Sequence, residues 1–198
     1  MKTILQLNTS ILSGNGESSR LVEDFVARLE GDVILRDLAK EPVPHLDAER
    51  FSAFITEKEL RNEKQSQIVA YSDRLIDEVR RADTIVIGLP LYNFGVPSGF
   101  KAWIDHVARA GATFRYTEKG PVGLLAGKKV YVFATRGGYY QGTALDTQTK
   151  YLRDILAFLG ITDVEFVYAE GLAIGEAVKA ASLAQAREQL RQLVPAYA

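Results

Sequence analysis

Five short β-prone runs alternate with segments whose apolar residues recur at helical spacing, and this alternation constrains the chain more than any other feature in it. The runs are Thr3 to Asn8, Asp32 to Arg36, Thr84 to Leu89, Lys129 to Thr135 and Val164 to Tyr168. Between them lie helical stripes such as Leu21, Val22, Phe25 and Val26, or Leu75, Ile76 and Val79. Parallel neighbours need a crossover, so strand, helix and strand in succession predict a parallel sheet covered on both faces. The reading is α/β: a doubly wound five-stranded parallel sheet of order 2-1-3-4-5, in a single domain over residues 1–198. The second run is the least apolar and is placed at an edge. Ala112 to Thr117 alternates with period two and turns at Glu118-Lys119-Gly120-Pro121, which predicts a small inserted hairpin near 112–127.

Asp37 to Asn62 is harder to read. Pro42, Pro44 and His45 predict an irregular, surface connection, and the charged segment near Glu57 to Glu63 reads as a short exposed helix or a flap. Ser18 or Ser19 is the expected N-cap of the first helix, and Gly160 the C′ residue after the stripe ending at Leu159.

The formal net charge of −1 leaves no cationic surplus for a nucleic-acid backbone. The chain has no cysteine, which removes disulfides, thiolate nucleophiles and thiolate metal ligands together. No apolar run approaches the ~18 residues of a membrane span, and Met1-Lys2 leads into too few apolar residues for a signal peptide. Small-molecule work in the cytoplasm, away from nucleic acid and membrane, is the expectation.

In the predicted order, strands 1, 3 and 4 are neighbours, so the loops after them converge on one crevice at the topological switch point. The first, Thr9 to Ser19, offers hydroxyls from Ser10, Ser18 and Ser19 and backbone N–H groups near Gly14 and Gly16, at a helix N-terminus. Such a nest suits a phosphate. It lacks the Gly-Lys-Ser/Thr of a P-loop. It half-matches a dinucleotide fingerprint, with Asp37 21 positions after Gly16, but the third glycine is a serine and Gly14 stands six positions beyond Asn8. A phosphomonoester cradle is the better reading, beside that of an ordinary Gly/Ser-rich loop.

The second loop, Pro90 to Pro97, carries Tyr92, Asn93 and Phe94, which read either as the wall of a flat-ring site or as a turn whose aromatics fill the core. In the third, Gly137 and Gly138 let backbone approach a ligand, and their N–H groups suit a ring that gains negative charge. Arg136 reads as part of that site or as a solvated charge, and Gly137-Gly138 as that approach or as a plain turn. His106 and His45 have no metal-ligand pattern around them, and no metal is expected.

These residues carry a resemblance. Ser10-Ile11-Leu12-Ser13-Gly14, Pro90-Leu91-Tyr92-Asn93-Phe94, Ala108 to Thr117, Thr135-Arg136-Gly137-Gly138 and Phe158 to Val164 resemble the bacterial FMN-dependent NADH:quinone and azo-compound reductases. The resemblance implies a flavodoxin-like homodimer with one FMN per subunit. Ser10 and Gly16-Glu17-Ser18 would hold the FMN phosphate, where the family more often has Ser-Gln-Ser. Pro90 and Leu91-Tyr92-Asn93-Phe94, in place of Met-Tyr-Asn-Phe, would flank the isoalloxazine. Thr135-Arg136-Gly137-Gly138, in place of Ser-Arg-Gly-Gly, would address its pyrimidine edge. Asn93, Tyr116 and Phe158 resemble positions that shape the substrate pocket, with Phe158 supplied by the other subunit.

The resemblance also implies ping-pong turnover: NADH or NADPH reduces the flavin and leaves, and a quinone or azo compound takes its place. The chemistry is the cofactor's, so no side chain is assigned as catalytic acid or base. The rival is a flavodoxin-type electron carrier without small-molecule turnover. The near-neutral charge and the inserted hairpin favour the enzyme.

Overall fold

Along each central strand, side chains part to opposite faces with period two and fill two separate cores. The computed structural model describes residues 1–194. Its main sheet contains β1 (Thr3–Asn8), β2 (Asp32–Asp37), β3 (Thr84–Pro90), β6 (Lys129–Thr135) and β7 (Asp163–Ala169). They pair in the order β2-β1-β3-β6-β7, all parallel. This is the predicted 2-1-3-4-5 order, with the two hairpin strands β4 (Phe114–Thr117) and β5 (Gly120–Gly123) counted separately.

Leu5, Leu7, Ile85, Ile87, Val130 and Val132 face one core, shared with α3 (Glu63–Arg81), α4 (Ser98–Val107) and α5 (Thr147–Phe158). Ile4, Val86, Tyr131 and Phe133 face the other, shared with α1 (Glu17–Val26) and α6 (Glu176–Leu193). β2 is an edge strand, and its Val33 and Leu35 are half exposed.

The connection from β2 to α3 differs from its expectation. A helix, α2 (Ala48–Ile55), lies earlier than the charged segment, which itself holds the expected short exposed helix only as a single 3-10 turn, Lys58–Leu60. The Asp47 carboxylate accepts from Arg50 N and starts α2. Asn62 and Gln65 then form a reciprocal capping box that starts α3 at Glu63. Most of that connection's charge therefore caps helices or faces solvent.

α5 ends as expected, with Gly160 at C′: Gly160 N donates to Ala157 O and Ile161 N to Leu156 O. The hairpin is pinned beside this end. A Cβ on Gly123 would stand 2.1 Å from Gly160 N, and Leu125 N donates to Leu159 O.

Candidate functional site

The strand register brings Asn8, Pro90, Thr135 and Ala169 to one end of the sheet. A cleft of about 180 Å³ opens there, lined by Ser10, Leu12, Gly16, Glu17, Ser18, Pro90, Leu91, Tyr92, Thr135, Arg136, Gly137 and Leu172. All three expected loops therefore meet. A fourth, between β7 and α6, adds Leu172, which no motif in the sequence marks.

The first loop runs into the N-terminus of α1. The N-cap is Gly16, not Ser18 or Ser19, because the helix begins at Glu17 and draws both serines into its first turn. Their hydroxyls are buried without a partner among the described residues. Ser18 is one of the residues lining the cleft, beside first-turn N–H groups that have no intrahelical acceptor. Ser10 Oγ lies 3.2 Å from Tyr92 Oη and accepts from Leu12 N at 3.2 Å. A Cβ on Gly16 would stand 2.3 Å from that Ser10 Oγ, so Gly16 makes room for the bridge between loops. Asp37 binds the loop from behind, accepting from Ser13 Oγ and from Ala39 N at 3.0 Å. It is tied to the protein, which removes the ribose-binding alternative for it.

The second loop is a tight turn in which Tyr92 N and Gly95 O, and Gly95 N and Tyr92 O, are paired at 3.3 and 2.9 Å. Its central residues, Asn93 and Phe94, have φ of 50° and 57°. Both are left-handed, as a two-residue hairpin turn demands. A phenylalanine there costs about 1 kcal/mol or more. The buried Gln148 holds the turn shut, donating through Nε2 to Pro90 O at 2.9 Å and Gly95 O at 3.1 Å. The Phe94 ring is half exposed and meets Tyr140 edge-on at 5.4 Å. The aromatics of this loop therefore do not fill the core.

The third loop holds the main departure. Arg136 is not a solvated charge; its side chain is fully shielded from solvent. Nη2 donates to Asp146 Oδ1 at 2.6 Å, Nη1 to Glu170 Oε1 at 3.2 Å, and the guanidinium lies 4.9 Å from the Tyr168 ring centre. Glu170 Oε1 also accepts from Tyr140 N and Gln141 N, both at 2.8 Å. Burial alone would push Asp146 up, but hydrogen bonds from Arg136 and Thr149 hold its carboxyl below the ordinary aspartate range. The arginine thus fastens the loop to α5 and to the β7–α6 connection. Gly137 O and Gly138 O accept from Ala173 N and Gly171 N, whereas the N–H groups of Gly137 and Gly138 meet no acceptor among the described residues.

Tyr116 and Phe158 stand apart from the cleft lining. They flank Phe114, at ring distances of 5.5 and 4.4 Å, under the hairpin. Tyr116 is largely exposed. Asn93 is at the exposed tip of its turn.

The donor set fits FMN. The orphaned Ser18 hydroxyl, Ser10 and the α1 N-terminus suit a phosphomonoester at one end. The free Gly137 and Gly138 amides and the Tyr92–Phe94 turn suit a flat, electron-accepting ring at the other.

Comparison with known proteins agrees with this geometry. A family model described as a flavodoxin-like fold matches residues 2–194. An FMN-dependent NADH:quinone oxidoreductase of Cellvibrio japonicus (strain Ueda107) is 50% identical over 99% of this chain and 100% of its own. Another so named, of Alcanivorax borkumensis, is 54% identical over 94% of this chain and 97% of its own. Among solved structures, an FMN-dependent NADH-azoreductase from Bacillus anthracis str. Ames Ancestor in complex with FMN superposes with a TM-score of 0.85. It shares 26% identity and is covered over 98% of this chain and 100% of that one.

Proposed function

The chain belongs to the family with the flavodoxin-like fold, and from that membership we propose that it is an FMN-dependent oxidoreductase. It takes hydride from NADH or NADPH and passes two electrons to quinones and aromatic azo compounds. The observation that carries the reading is the cleft itself. Ser18, with its buried hydroxyl unpartnered among the described residues at a helix N-terminus, lines the same cleft as Gly137, whose amide meets no acceptor among the described residues, and Tyr92 of the held turn. FMN, when bound, supplies the hydride and electron chemistry.

The chain's own part is placement. Ser10, Ser18 and the first turn of α1 hold the phosphate; Gly16 and Glu17 shape that end, with Glu17 contributing its backbone N–H. Pro90, Leu91 and Tyr92 wall the ring, and Asn93 and Phe94 rise beside it where substrate enters. Thr135 and the backbone of Arg136 close the floor, and the Gly137 and Gly138 amides stabilise negative charge at the ring edge. Reductant and acceptor occupy one cleft in turn, which is ping-pong behaviour.

We place the protein in the cytoplasm as a single-domain, homodimeric enzyme. Exposed Phe51, Ile55 and Leu60, with Tyr116, Val122 and Leu124 on the hairpin, supply apolar surface of the kind a partner copy covers. In that assembly Tyr116 and Phe158 serve the substrate pocket, Phe158 across the interface.

The test is direct. The purified protein is expected to be yellow, and NADH oxidation to accelerate with a benzoquinone or an azo dye, giving parallel double-reciprocal lines. Protein that stays colourless after incubation with FMN would overturn the proposal. A yellow protein without turnover on any small acceptor would make it an electron carrier.

A further inference from the structure

The phosphate end of the cleft is bordered by a residue that bears a carboxylate. Glu17 lines it, at the first position of α1 and next to the orphaned Ser18 hydroxyl. An anion there opposes the binding of another anion. The side chain is not left alone, however. Its Oε1 lies 2.9 Å from Lys179 Nζ, which comes from the first turns of α6, and 3.6 Å from Arg20 Nη1. Lys179 is raised above its ordinary lysine value by its hydrogen bond to Glu17, with Glu176 adding to the effect and Arg20 opposing it. Two cations and two carboxylates balance, and loss of Lys179 would leave this corner net negative.

A second rung joins the same helices. Arg187 Nε donates to Asp24 Oδ2 at 3.0 Å, two turns further along. Lacing of α1 to α6 would alone explain both rungs. The two differ in position: Glu17 borders the cleft and Asp24 does not.

We infer that Lys179 is a positioning residue for the cofactor's phosphate: by binding the Glu17 carboxylate it lets a phosphate dianion sit at the N-terminus of α1. The inference rests on the proposed FMN site and deepens it. Flavin selectivity in this chain is then set partly from α6, a helix that adds no side chain to the cleft wall. The influence of the pair is electrostatic and partly exposed, so salt weakens it.

The experiment titrates FMN and riboflavin separately into the flavin-free full-length protein, following flavin fluorescence. Riboflavin carries the same ring without the phosphate. For Lys179→Met, FMN affinity is expected to fall about fivefold while riboflavin affinity stays unchanged. For Glu17→Gln, FMN affinity is expected to rise by about the same factor, again without a riboflavin effect. In the Glu17→Gln background, Lys179→Met should lose most of its effect, and both shifts should shrink at high salt.

Equal loss of FMN and riboflavin in Lys179→Met would make the pair a structural lace and overturn the inference, as would no change in FMN affinity. Should Lys179→Met fail to fold, Glu17→Gln decides: an unaltered FMN-to-riboflavin ratio overturns it. Wild-type protein that binds neither flavin would instead overturn the proposed function. Wild-type protein that binds both equally would overturn the phosphate inference alone.

Discussion

Arg136 Nη2 and Asp146 Oδ1 are 2.6 Å apart, the arginine side chain fully shielded and the aspartate's nearly so, behind the loop that brings Gly137 to the cleft lining. Breaking a buried pair strands the remaining charge, which is more costly than never having had it. Arg136→Met leaves both Asp146 and Glu170 uncompensated. Urea unfolding is expected to show a loss of roughly 3 to 5 kcal/mol. The pair also has a pH signature. Because folding lowers the Asp146 pKa, its contribution is fully present above the ordinary aspartate value and is lost as pH falls through the lowered one. The acid limb of the stability profile should therefore flatten in Arg136→Met.

Gly16→Ala tests the bridge between the first two loops. The new Cβ falls 2.7 Å from Ser10 Cβ as well as 2.3 Å from its hydroxyl, a clash that no side-chain rotation clears, so the backbone must shift and Ser10 is drawn away from Tyr92. Loss of that contact and of a phosphate ligand is expected to weaken FMN binding about tenfold, with riboflavin much less affected. Equilibrium titration of both flavins checks it.

Phe158→Ala separates substrate contact from packing. The ring is half-buried and tilts against Phe114 at 4.4 Å, so truncation should cost about 2 kcal/mol in thermal or urea unfolding. Flavin content should stay unchanged while the acceptor KM rises. A fall in flavin content with an unchanged KM would assign Phe158 to the core.

His106 sets a second pH dependence, remote from the cleft. Its ring lies edge-on to Phe54 and Tyr71, Nε2 is 3.1 Å from Pro44 O, and Nδ1 is buried without a partner among the described residues. Burial, the largest influence, lowers its pKa below 6.5, and the Pro44 hydrogen bond only partly offsets this. The unfolded chain therefore takes up a proton that the folded chain refuses. Stability should be full above pH about 6.5 and fall as pH drops toward the lowered value. His106→Leu should remove that slope and cost about 1 kcal/mol at neutral pH for the lost hydrogen bond.

Much of this architecture is legible in the chain because a central parallel strand must be apolar on both faces. Thr84 to Leu89 and Lys129 to Thr135 announce themselves, and their order places the three site loops together. The connection from Asp37 to Asn62 was obscured by its prolines and charges, although Asp47 before Phe51, Phe54 and Ile55 is a helix signal at the right spacing. Ser18 has the residue type of a cap, whereas the helix starts at Glu17 and a glycine takes the cap. The burial of Arg136 had no local signal. Its partners lie 10 and 34 residues away, and only the fold brings them together. Gln148 and Leu172 escaped for the same reason.

The left-handed Phe94 has a consequence for anyone seeking a hardier form of this enzyme. Replacing it with glycine would relieve the backbone at once, and a screen for heat resistance alone would favour that change. The same change would delete the exposed ring that meets Tyr140 edge-on and that the proposed function sets beside the flavin. If the proposed function holds, thermal selection and catalytic selection pull this one position in opposite directions, and a library screened without a turnover assay would drift toward sturdy, idle protein.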